Sequence, residues 1–335
     1  MSYNKKKTVL ITGGAGFIGS FMCNRLVAEG FSLIILDNLF RGSLDNIKNL
    51  LTDKNLFINI DIANNNSINV IADIIDKYKP ELIMHYAAIN GTQYFYDEPA
   101  KVAVVNSIAT YNLMESIKKI VVKNKKYLPL IYFSSTSEVY GEPFNIPTKE
   151  TDITYTRVYE DRDSYAAAKL MSEFYVKLLS KEIKIPFLIT RIFNVYGPRM
   201  VGTKYGQVIP EFITRLLNKE YPLKIIGDGS HSRSFCYIDD HIDLTMKLLK
   251  SGLKNEVVNL GNPNEISIKE LAKTIMIIMD KEPKFKYRPA RKGDHMRRCP
   301  DIRKLTKVVG DYGFTTLEDG IKQTIDYYKD NLLNG

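Results

Sequence analysis

A glycine-rich turn between an apolar run and a helical pattern constrains the fold of this chain more than any other feature. Residues 12–19 read Thr-Gly-Gly-Ala-Gly-Phe-Ile-Gly. Gly13, Gly16 and Gly19 match the pattern G-x-G-x-x-G, whose glycines permit a tight turn and a close approach of the backbone to a pyrophosphate. The helix that begins near Phe17 and Ile18 offers free N–H groups and the positive end of its dipole. The motif therefore predicts a dinucleotide site.

An acidic residue ends the second apolar run. Asp37 lies 18 residues after Gly19, where its carboxylate would accept hydrogen bonds from a ribose diol and repel a 2′-phosphate, which favours NAD over NADP. The alternative is a glycine turn followed by a helix-capping Asp37. Asp61 and Ile62 end the third run, where Asp61 either holds the adenine amino group or caps a helix.

Short apolar runs alternate with helical-period segments along the first 197 residues, which predicts an α/β fold with a doubly wound, mostly parallel sheet of the Rossmann type. The six predicted strands are 8–12, 33–37, 56–60, 82–87, 130–134 and 187–193. The predicted helices lie near 17–29, 67–78, 100–122 and 163–183. After Gly197 the segments are shorter and rich in proline. We therefore expect a dinucleotide-binding domain at 1–197 and a smaller substrate-binding region at 198–335, with some interleaving of the two.

The composition excludes several classes of protein. The 335 residues include 47 Lys+Arg against 38 Asp+Glu, a net charge of +9. The lysines are interleaved with apolar residues and not gathered with exposed aromatics, which indicates a solvated face and no nucleic-acid partner. Nowhere do 18 uncharged apolar residues run together, so we expect no membrane span and a cytoplasmic location.

Cysteine and histidine give no sign of a metal site or a disulfide framework. The three cysteines, Cys23, Cys236 and Cys299, are odd in number and far apart, which suits a reducing compartment. The four histidines show neither an H-x-x-x-H spacing nor a cysteine partner. We therefore expect that no metal is bound.

Tyr165 and Lys169 are four residues apart in a predicted helix, which places the phenol and the ammonium on one face, about one turn apart. The ammonium would favour the phenolate and lower the pKa of Tyr165, making it a usable base near neutral pH. The pair alone would be an ordinary surface pair. It follows a run that ends at Ser134 and continues through Thr136 to Glu138, and these polar side chains would emerge at the carboxyl edge of the sheet, beside the same crevice.

Together these motifs resemble those of the extended short-chain dehydrogenase/reductases, in the nucleotide-sugar epimerase/dehydratase family. The resemblance covers residues 7–330. It rests on the glycine loop and on Asp37-Asn38, His85 to Ala88, Ser134 to Gly141, Tyr165 with Lys169, Arg191 to Pro198, and Gly227 to Asp240. The resemblance implies a tightly held NAD, a nucleoside-diphosphate sugar as substrate, and oxidation of that sugar at C4.

The resemblance also implies roles for individual residues. Tyr165 would take the C4 hydroxyl proton as the hydride passes to NAD, Lys169 would bind the nicotinamide ribose, and Thr136 would hydrogen-bond the reacting oxygen. Glu138 would act at C5 or near the departing group, or be a solvated carboxylate. The remaining residues of the NAD site would include Asn38, Ala87, Ala88 and Ser134. The substrate residues would be Thr92, Tyr94, Asn194, Val208, Arg233 and Arg298, although each arginine would alternatively form a salt bridge.

The second half-reaction stays open at this stage. We predict a 4-keto species that is epimerised, loses water across C5–C6 in a 4,6-dehydration, or is released. The carboxyl half resembles UDP-glucuronate decarboxylases, which makes decarboxylation the alternative, but the loop 90–96 lacks an arginine for a glucuronate carboxylate. A non-catalytic NAD sensor is the remote alternative, since such proteins lose the Tyr/Lys pair. Family members pair through the two helices near 100–122 and 163–183, so we expect a homodimer or a tetramer.

Overall fold

A parallel seven-stranded sheet lies at the centre of the computed structural model, which describes residues 7–202, 206–290 and 293–333. The strands of the described residues are β1 (Thr8–Thr12), β2 (Ser32–Asp37), β3 (Leu56–Asn59), β4 (Leu82–His85), β5 (Leu130–Thr136), β6 (Phe187–Ile192), β7 (Val195–Tyr196), β8 (Leu223–Ile226), β9 (Ser232–Ser234), β10 (Cys236–Tyr237), β11 (Glu256–Leu260), β12 (Glu265–Ser267), β13 (Phe285–Arg288) and β14 (Arg297–Arg298). The α-helices are α1 (Phe17–Ala28), α2 (Ser67–Tyr78), α3 (Tyr94–Asp97), α4 (Pro99–Lys123), α5 (Ser164–Ile183), α6 (Val208–Leu217), α7 (Ile238–Lys250), α8 (Ile268–Ile278), α9 (Arg303–Val309) and α10 (Leu317–Leu333).

The large sheet has the strand order β11-β6-β5-β4-β1-β2-β3, and all of its neighbouring strands pair in parallel. The order reverses at β1, which lies between β4 and β2. In open α/β sheets a ligand crevice forms at such a reversal, outside the carboxyl ends of the strands. This confirms the predicted fold class and puts the glycine loop after β1 at the crevice.

Burial on both faces explains why the strands are apolar at almost every position. Along β1, Val9 and Ile11 pack into the core on the side of α1 and α7, whereas Leu10 packs into the core on the side of α2 and α4. Successive side chains of a strand point to opposite faces, so a strand covered on both sides needs a continuous apolar run. All six predicted strands and all four predicted helices are present, within a few residues of their predicted ends.

The prediction of six strands is incomplete, because a seventh strand comes from the carboxyl half. Residues 256–260 form β11, which pairs in parallel with β6 at the edge of the sheet. This run lies beyond the proline-rich change at 198, and its short apolar sequence did not distinguish it from the small strands around it.

The carboxyl half also forms small sheets. In one of them β9 lies between β12 and β14, and the parallel register of β14 with β9 pairs Arg298 with Arg233. In the described part of the chain, no helix is long and apolar enough to cross a membrane.

Candidate active site

The first cavity of the site lies at the glycine loop, against the carboxyl ends of the central strands. Gly13 has φ +72°, and a Cβ on Gly19 would lie 2.1 Å from the carbonyl oxygen of Gly13. Side chains at these positions would fill the space between the loop and the first turn of α1. The glycines therefore leave the backbone bare beside the N-terminus of a helix, which is the arrangement that a pyrophosphate requires.

All fourteen residues predicted for the cofactor site line this one cavity. They are Gly13, Gly16, Phe17, Ile18, Gly19, Asp37, Asn38, Asp61, Ile62, Ala87, Ala88, Ser134, Tyr165 and Lys169. The prediction missed several further lining residues, among them Phe40, Arg41, Gly42, Lys101 and Arg199. Phe40, Arg41 and Gly42 lie within five residues of Asp37 in the chain, so proximity in sequence was the signal that could have found them.

Asp37 is held in place by the backbone around it. Its Oδ2 accepts a hydrogen bond from the N–H of Ala15 at 3.0 Å, and its Oδ1 accepts one from Leu39 at 2.8 Å. Burial raises the pKa of this carboxyl, and these backbone hydrogen bonds oppose the shift. The carboxylate thus ties the end of β2 to the glycine loop at the wall of the cavity.

Tyr165 and Lys169 lie on the first turns of α5, at the opposite wall. Lys169 is 3% exposed, and its Nζ donates a hydrogen bond to the carbonyl oxygen of Ser134 at 2.9 Å. Burial lowers the pKa of this amine to about 7, although the Glu173 carboxylate opposes the shift. The Tyr165 ring stacks on Phe95, with centroids 4.9 Å apart.

The predicted lowering of the pKa of Tyr165 by Lys169 is wrong for the protein by itself. Burial and the nearby Glu138 carboxylate raise the pKa of the phenol. A hydrogen bond with Thr136 and the positive charge of Arg41 act in the opposite direction. The ammonium of Lys169 lies 6.0 Å from the centre of the phenol ring, and loss of hydration is the larger effect at this buried position.

A second cavity adjoins the first, and Gly206 and Gln207 line both. Four residues predicted for the substrate line this cavity: Thr92, Asn194, Val208 and Arg233. The structure places Tyr94 elsewhere, against Phe40 and Arg41 at the first cavity. Arg298 does not line the second cavity, because it lies buried behind Glu138.

Glu138 occupies the inner end of the second cavity between two arginines. Arg162 donates from Nη1 to its Oε2 at 2.8 Å, and Arg298 donates from Nη2 to the same oxygen at 2.7 Å. The two arginines are only 4% and 2% exposed. Burial opposes ionisation of Glu138, but the Arg162 and Arg298 guanidiniums hold the pKa of its carboxyl well below the usual range.

Two neighbours extend this cluster. Asp294 accepts hydrogen bonds at Oδ1 from Arg162 at 3.2 Å and from Arg233 at 3.4 Å. His295 lies with Nε2 3.9 Å from Oε2 of Glu138, and burial together with Arg298 lowers its pKa to about 2, so it is neutral. Arg162, Asp294 and His295 were missed as site residues, because nothing in their local sequence distinguishes them from surface residues.

The buried position of Arg233 also affects its charge. Its guanidinium donates to the carbonyl oxygens of Ser232, at 2.8 Å, and of His295, at 2.8 Å. Burial and the like charge of Arg298 lower its pKa to about 10. It remains a cation at neutral pH, and one that faces the second cavity.

Comparison with known proteins identifies the family. The model of the NAD dependent epimerase/dehydratase family matches residues 9–261, and the chain belongs to this family. A UDP-N-acetyl-alpha-D-glucosaminuronate decarboxylase from Bacillus cytotoxicus is 31% identical over 332 residues, which cover 97% of this chain and 98% of that protein. Animal and plant UDP-glucuronic acid decarboxylases are longer, and the chain covers between 64% and 75% of their length.

Solved structures agree with this identification. The UDP-glucose 4-epimerase of Thermotoga maritima, solved with UDP-glucose, is 30% identical with a TM-score of 0.86, covering 97% of this chain and 99% of that one. The UDP-glucuronic acid 4-epimerase of Bacillus cereus, solved with UDP-glucuronic acid and NAD, is 28% identical with a TM-score of 0.85 over the same shares. This chain is thus an NAD-dependent nucleotide-sugar enzyme of the extended short-chain dehydrogenase/reductase type.

The first cavity fits the NAD that this family uses. Its bare glycine backbone faces the N-terminus of α1, and Asp37 lies at the wall where a ribose diol would be recognised. Tyr165 and Lys169 border the opposite wall. The dinucleotide would therefore extend from the end of β2 and β3 to α5, with its nicotinamide half beside Tyr165.

Proposed function

We propose that this protein oxidises a nucleoside-diphosphate sugar at C4. The observation that carries the proposal is the position of Tyr165, which borders the NAD cavity and interacts with Thr136 and Glu138 on the side of the second cavity. The second cavity adjoins the first at Gly206 and Gln207, so a sugar bound there would point its C4 hydroxyl toward this phenol. Arg233, a cation at the second cavity, would pair with the substrate's diphosphate.

The oxidation would use three side chains of this site in separate roles. Tyr165 takes the C4 hydroxyl proton at its phenol oxygen, while Thr136 orients that phenol through their hydrogen bond. NAD, when bound beside Tyr165, would supply the hydride acceptor, and the positive charge of its nicotinamide ring would favour the Tyr165 phenolate. Lys169 donates a hydrogen bond to the carbonyl oxygen of Ser134, which holds its amine at the wall of the NAD cavity beside Tyr165. There the amine would donate to the nicotinamide ribose.

The variant Tyr165→Phe tests this proposal. The ring and its stacking on Phe95 remain, and only the proton acceptor is lost. We expect turnover to fall about 10²- to 10⁴-fold, with the amount of NAD that copurifies unchanged. Tyr155→Phe, at an exposed tyrosine, is the control. Turnover of Tyr165→Phe within about twofold of the wild type would remove Tyr165 as the base.

We infer decarboxylation of a nucleoside-diphosphate uronic acid as the favoured second half-reaction, ahead of epimerisation and dehydration. Its specific support is Arg162, which lines the inner end of the second cavity, together with the likeness of the chain to the UDP-N-acetyl-alpha-D-glucosaminuronate decarboxylase. The loop 90–96 has no arginine, but Arg162 arrives from the segment before α5. Its guanidinium is a donor that a sugar carboxylate would use.

The chemistry of this step balances without a further reagent. Oxidation at C4 makes the C6 carboxylate that of a β-keto acid. The electron pair of the C5–C6 bond would then move into the C4 carbonyl as carbon dioxide leaves, and the resulting enolate would take a proton from water at C5. The hydride would return to C4 and the Tyr165 proton to the C4 oxygen, so that NAD would undergo no net change.

Mass spectrometry of products identifies the second half-reaction. The purified protein is incubated with NAD and with UDP-, GDP- and dTDP-linked hexoses, heptoses and uronates. Loss of carbon dioxide from a uronate supports decarboxylation. Loss of water, loss of two hydrogens, or a new sugar of unchanged mass would instead identify a dehydratase, a dehydrogenase or an epimerase.

We further propose that the chain forms a homodimer through α4 and α5. These two helices pack side by side and expose a series of large apolar side chains: Val104, Tyr111, Met171, Phe174 and Leu178. An apolar patch of this kind marks an interaction surface. Light scattering should show a dimer for the wild type and a monomer for Leu178→Asp. Val158→Asp, at a residue that is 94% exposed in a loop, is the control and should remain dimeric.

A further inference from the structure

The loop after β2 forms one wall of the NAD cavity. Residues 38–42, here called the cofactor loop, contribute Asn38, Phe40, Arg41 and Gly42 to the lining. The backbone of the loop is held at its start, where Leu39 and Phe40 donate to the side chains of Asp37 and Asn38. Arg41 follows this turn, and its side chain extends from the loop to the ring of Tyr94.

The side chains of Phe40 and Arg41 meet α3, the short helix that begins at Tyr94. The guanidinium carbon of Arg41 lies 5.3 Å from the centre of the Tyr94 ring, and the Phe40 ring lies 5.8 Å from the same ring. Lys101, at the start of α4, lies over the Phe40 ring, with Nζ 4.6 Å from the centre of that ring. Cationic and aromatic side chains thus alternate across the gap between the cofactor loop and α3.

The next residue of α3 contacts the other side of the site. Phe95 stacks on Tyr165 with an angle of 12° between the rings. One turn of helix therefore touches the cofactor loop through Tyr94 and the candidate base through Phe95. A shift of α3 would move both contacts together.

We propose that Arg41 is a positioning residue that fastens the cofactor loop to Tyr94 of α3 and so closes the outer wall of the NAD cavity. NAD leaves only when this contact opens, and Arg41 therefore sets the rate at which the cofactor is released. The inference rests on NAD as the cofactor and does not depend on which sugar is oxidised.

The physical reason lies in the contact itself. A guanidinium over an aromatic ring is attracted by the negative face of the ring, and the attraction is stronger where water is displaced. Arg41 is partly buried, and burial lowers its pKa while Tyr94 opposes that shift. The contact thus adds a barrier to opening that a short, neutral residue at position 41 would not provide.

The rate of NAD release from the holoenzyme tests the proposal. The protein is loaded with radiolabelled NAD and diluted into unlabelled NAD, with no sugar present. We expect Arg41→Ala and Tyr94→Ala each to speed the loss of label about 3- to 30-fold. Tyr94→Phe keeps the ring under the guanidinium but loses the phenol oxygen that also hydrogen-bonds Arg41, so its release rate should lie between those of the wild type and Tyr94→Ala.

The double variant Arg41→Ala/Tyr94→Ala separates a shared contact from two independent effects. If the two side chains act through each other, the double variant releases NAD no faster than the faster single variant. Multiplying effects would overturn the proposal, as would an unchanged rate in Arg41→Ala. Should Arg41→Ala fail to fold, the difference in NAD release rate between Tyr94→Ala and Tyr94→Phe tests the same contact.

Two controls guard against a general loss of structure. Lys48→Ala removes an exposed cation that pairs with Asp45 near the same loop and does not line the cavity, so its release rate should match the wild type. The melting temperature of the NAD-free protein should be the same in Arg41→Ala as in the wild type. A lowered melting temperature with unchanged release would mean that Arg41 serves stability alone, which would also overturn the proposal.

Discussion

Arg162 donates a hydrogen bond from Nη1 to Oε2 of Glu138 over 2.8 Å, and both groups are removed from most of the solvent. Arg298 pairs with the same carboxylate from the other side. Because the two guanidiniums outweigh the effect of burial on the pKa of Glu138, the group is a carboxylate at neutral pH. It therefore accepts hydrogen bonds and does not serve as a proton donor.

This pairing predicts that stability is lost in acid. The pKa of Glu138 is lower in the folded chain than its unfolded value of about 4.3, so its contribution is complete above that value and falls as the pH falls through the folded pKa. Glu138→Gln leaves the buried Arg298 without its counter-charge and Arg162 with Asp294 alone, and should cost about 3–5 kcal/mol at pH 7. The free energy of unfolding, measured in urea from pH 7 to pH 3, should converge for the variant and the wild type as the pH falls.

Glu282→Gln provides the matched comparison for Glu138. Glu282 pairs with Lys284, and both side chains are exposed, so its loss should change stability by less than about 1 kcal/mol. A constant difference between Glu138→Gln and the wild type across the pH range would contradict the assignment of the acid sensitivity to Glu138.

Alanine substitutions in the glycine loop should differ widely in their effect on NAD binding. A Cβ on Gly19 would lie 2.1 Å from the Gly13 carbonyl oxygen, whereas one on Gly16 would lie 3.2 Å from the same atom. Gly19→Ala must displace backbone and should lose NAD binding by more than about 100-fold or fail to fold. Gly16→Ala should weaken NAD by less than about tenfold, as measured by calorimetry. Equal affinities would show that the loop is not held as described.

The sequence was sufficient for the cofactor half of the site because that half is built from local patterns. The turn at Gly13 to Gly19 and the acidic end of β2 need only their own neighbours, and the parallel topology brings their ends to one edge. The helix that carries Tyr165 and Lys169 is also predicted from local sequence, since the two residues are four apart. These residues lie around one cavity, as the pattern indicates.

The substrate half depends on pairings over long distances in the chain. Glu138 meets Arg298 across 160 residues, and no periodicity predicts such a contact. The register of β14 with β9, which sets Arg298 beside Arg233, depends on strands of two and three residues that have no clear pattern. Tyr94 was expected at the sugar, but the ring packs against Arg41 because the cofactor loop lies nearer to α3.

Asp37 should set the choice between NAD and NADP. Its carboxylate lies at the cavity wall with both oxygens held by backbone N–H groups, so it would meet a 2′-phosphate as a fixed negative charge. Asp37→Ala should shift the ratio of NAD to NADP affinity toward NADP by about tenfold or more. Asp45→Ala, at an exposed carboxylate, should leave the ratio unchanged. An unaltered ratio in Asp37→Ala would remove this residue from the recognition of the ribose.

Lys169 should lower the stability of the NAD-free protein below about pH 10. Its pKa of about 7 in the folded chain lies under the unfolded value of about 10.4. Between these values the unfolded chain binds more protons, so stability rises with pH. Lys169→Met removes this dependence of stability on pH. It also removes the hydrogen bond to Ser134, which costs about 1–3 kcal/mol. The variant should therefore be about 1–3 kcal/mol more stable than the wild type at pH 7, and this gain should disappear toward pH 10.

Urea unfolding at several pH values measures the difference, with Lys177→Met, at an exposed lysine of α5, as the control. A gain that does not change with pH would mean that Lys169 has no depressed pKa, and its effect would then come from packing alone.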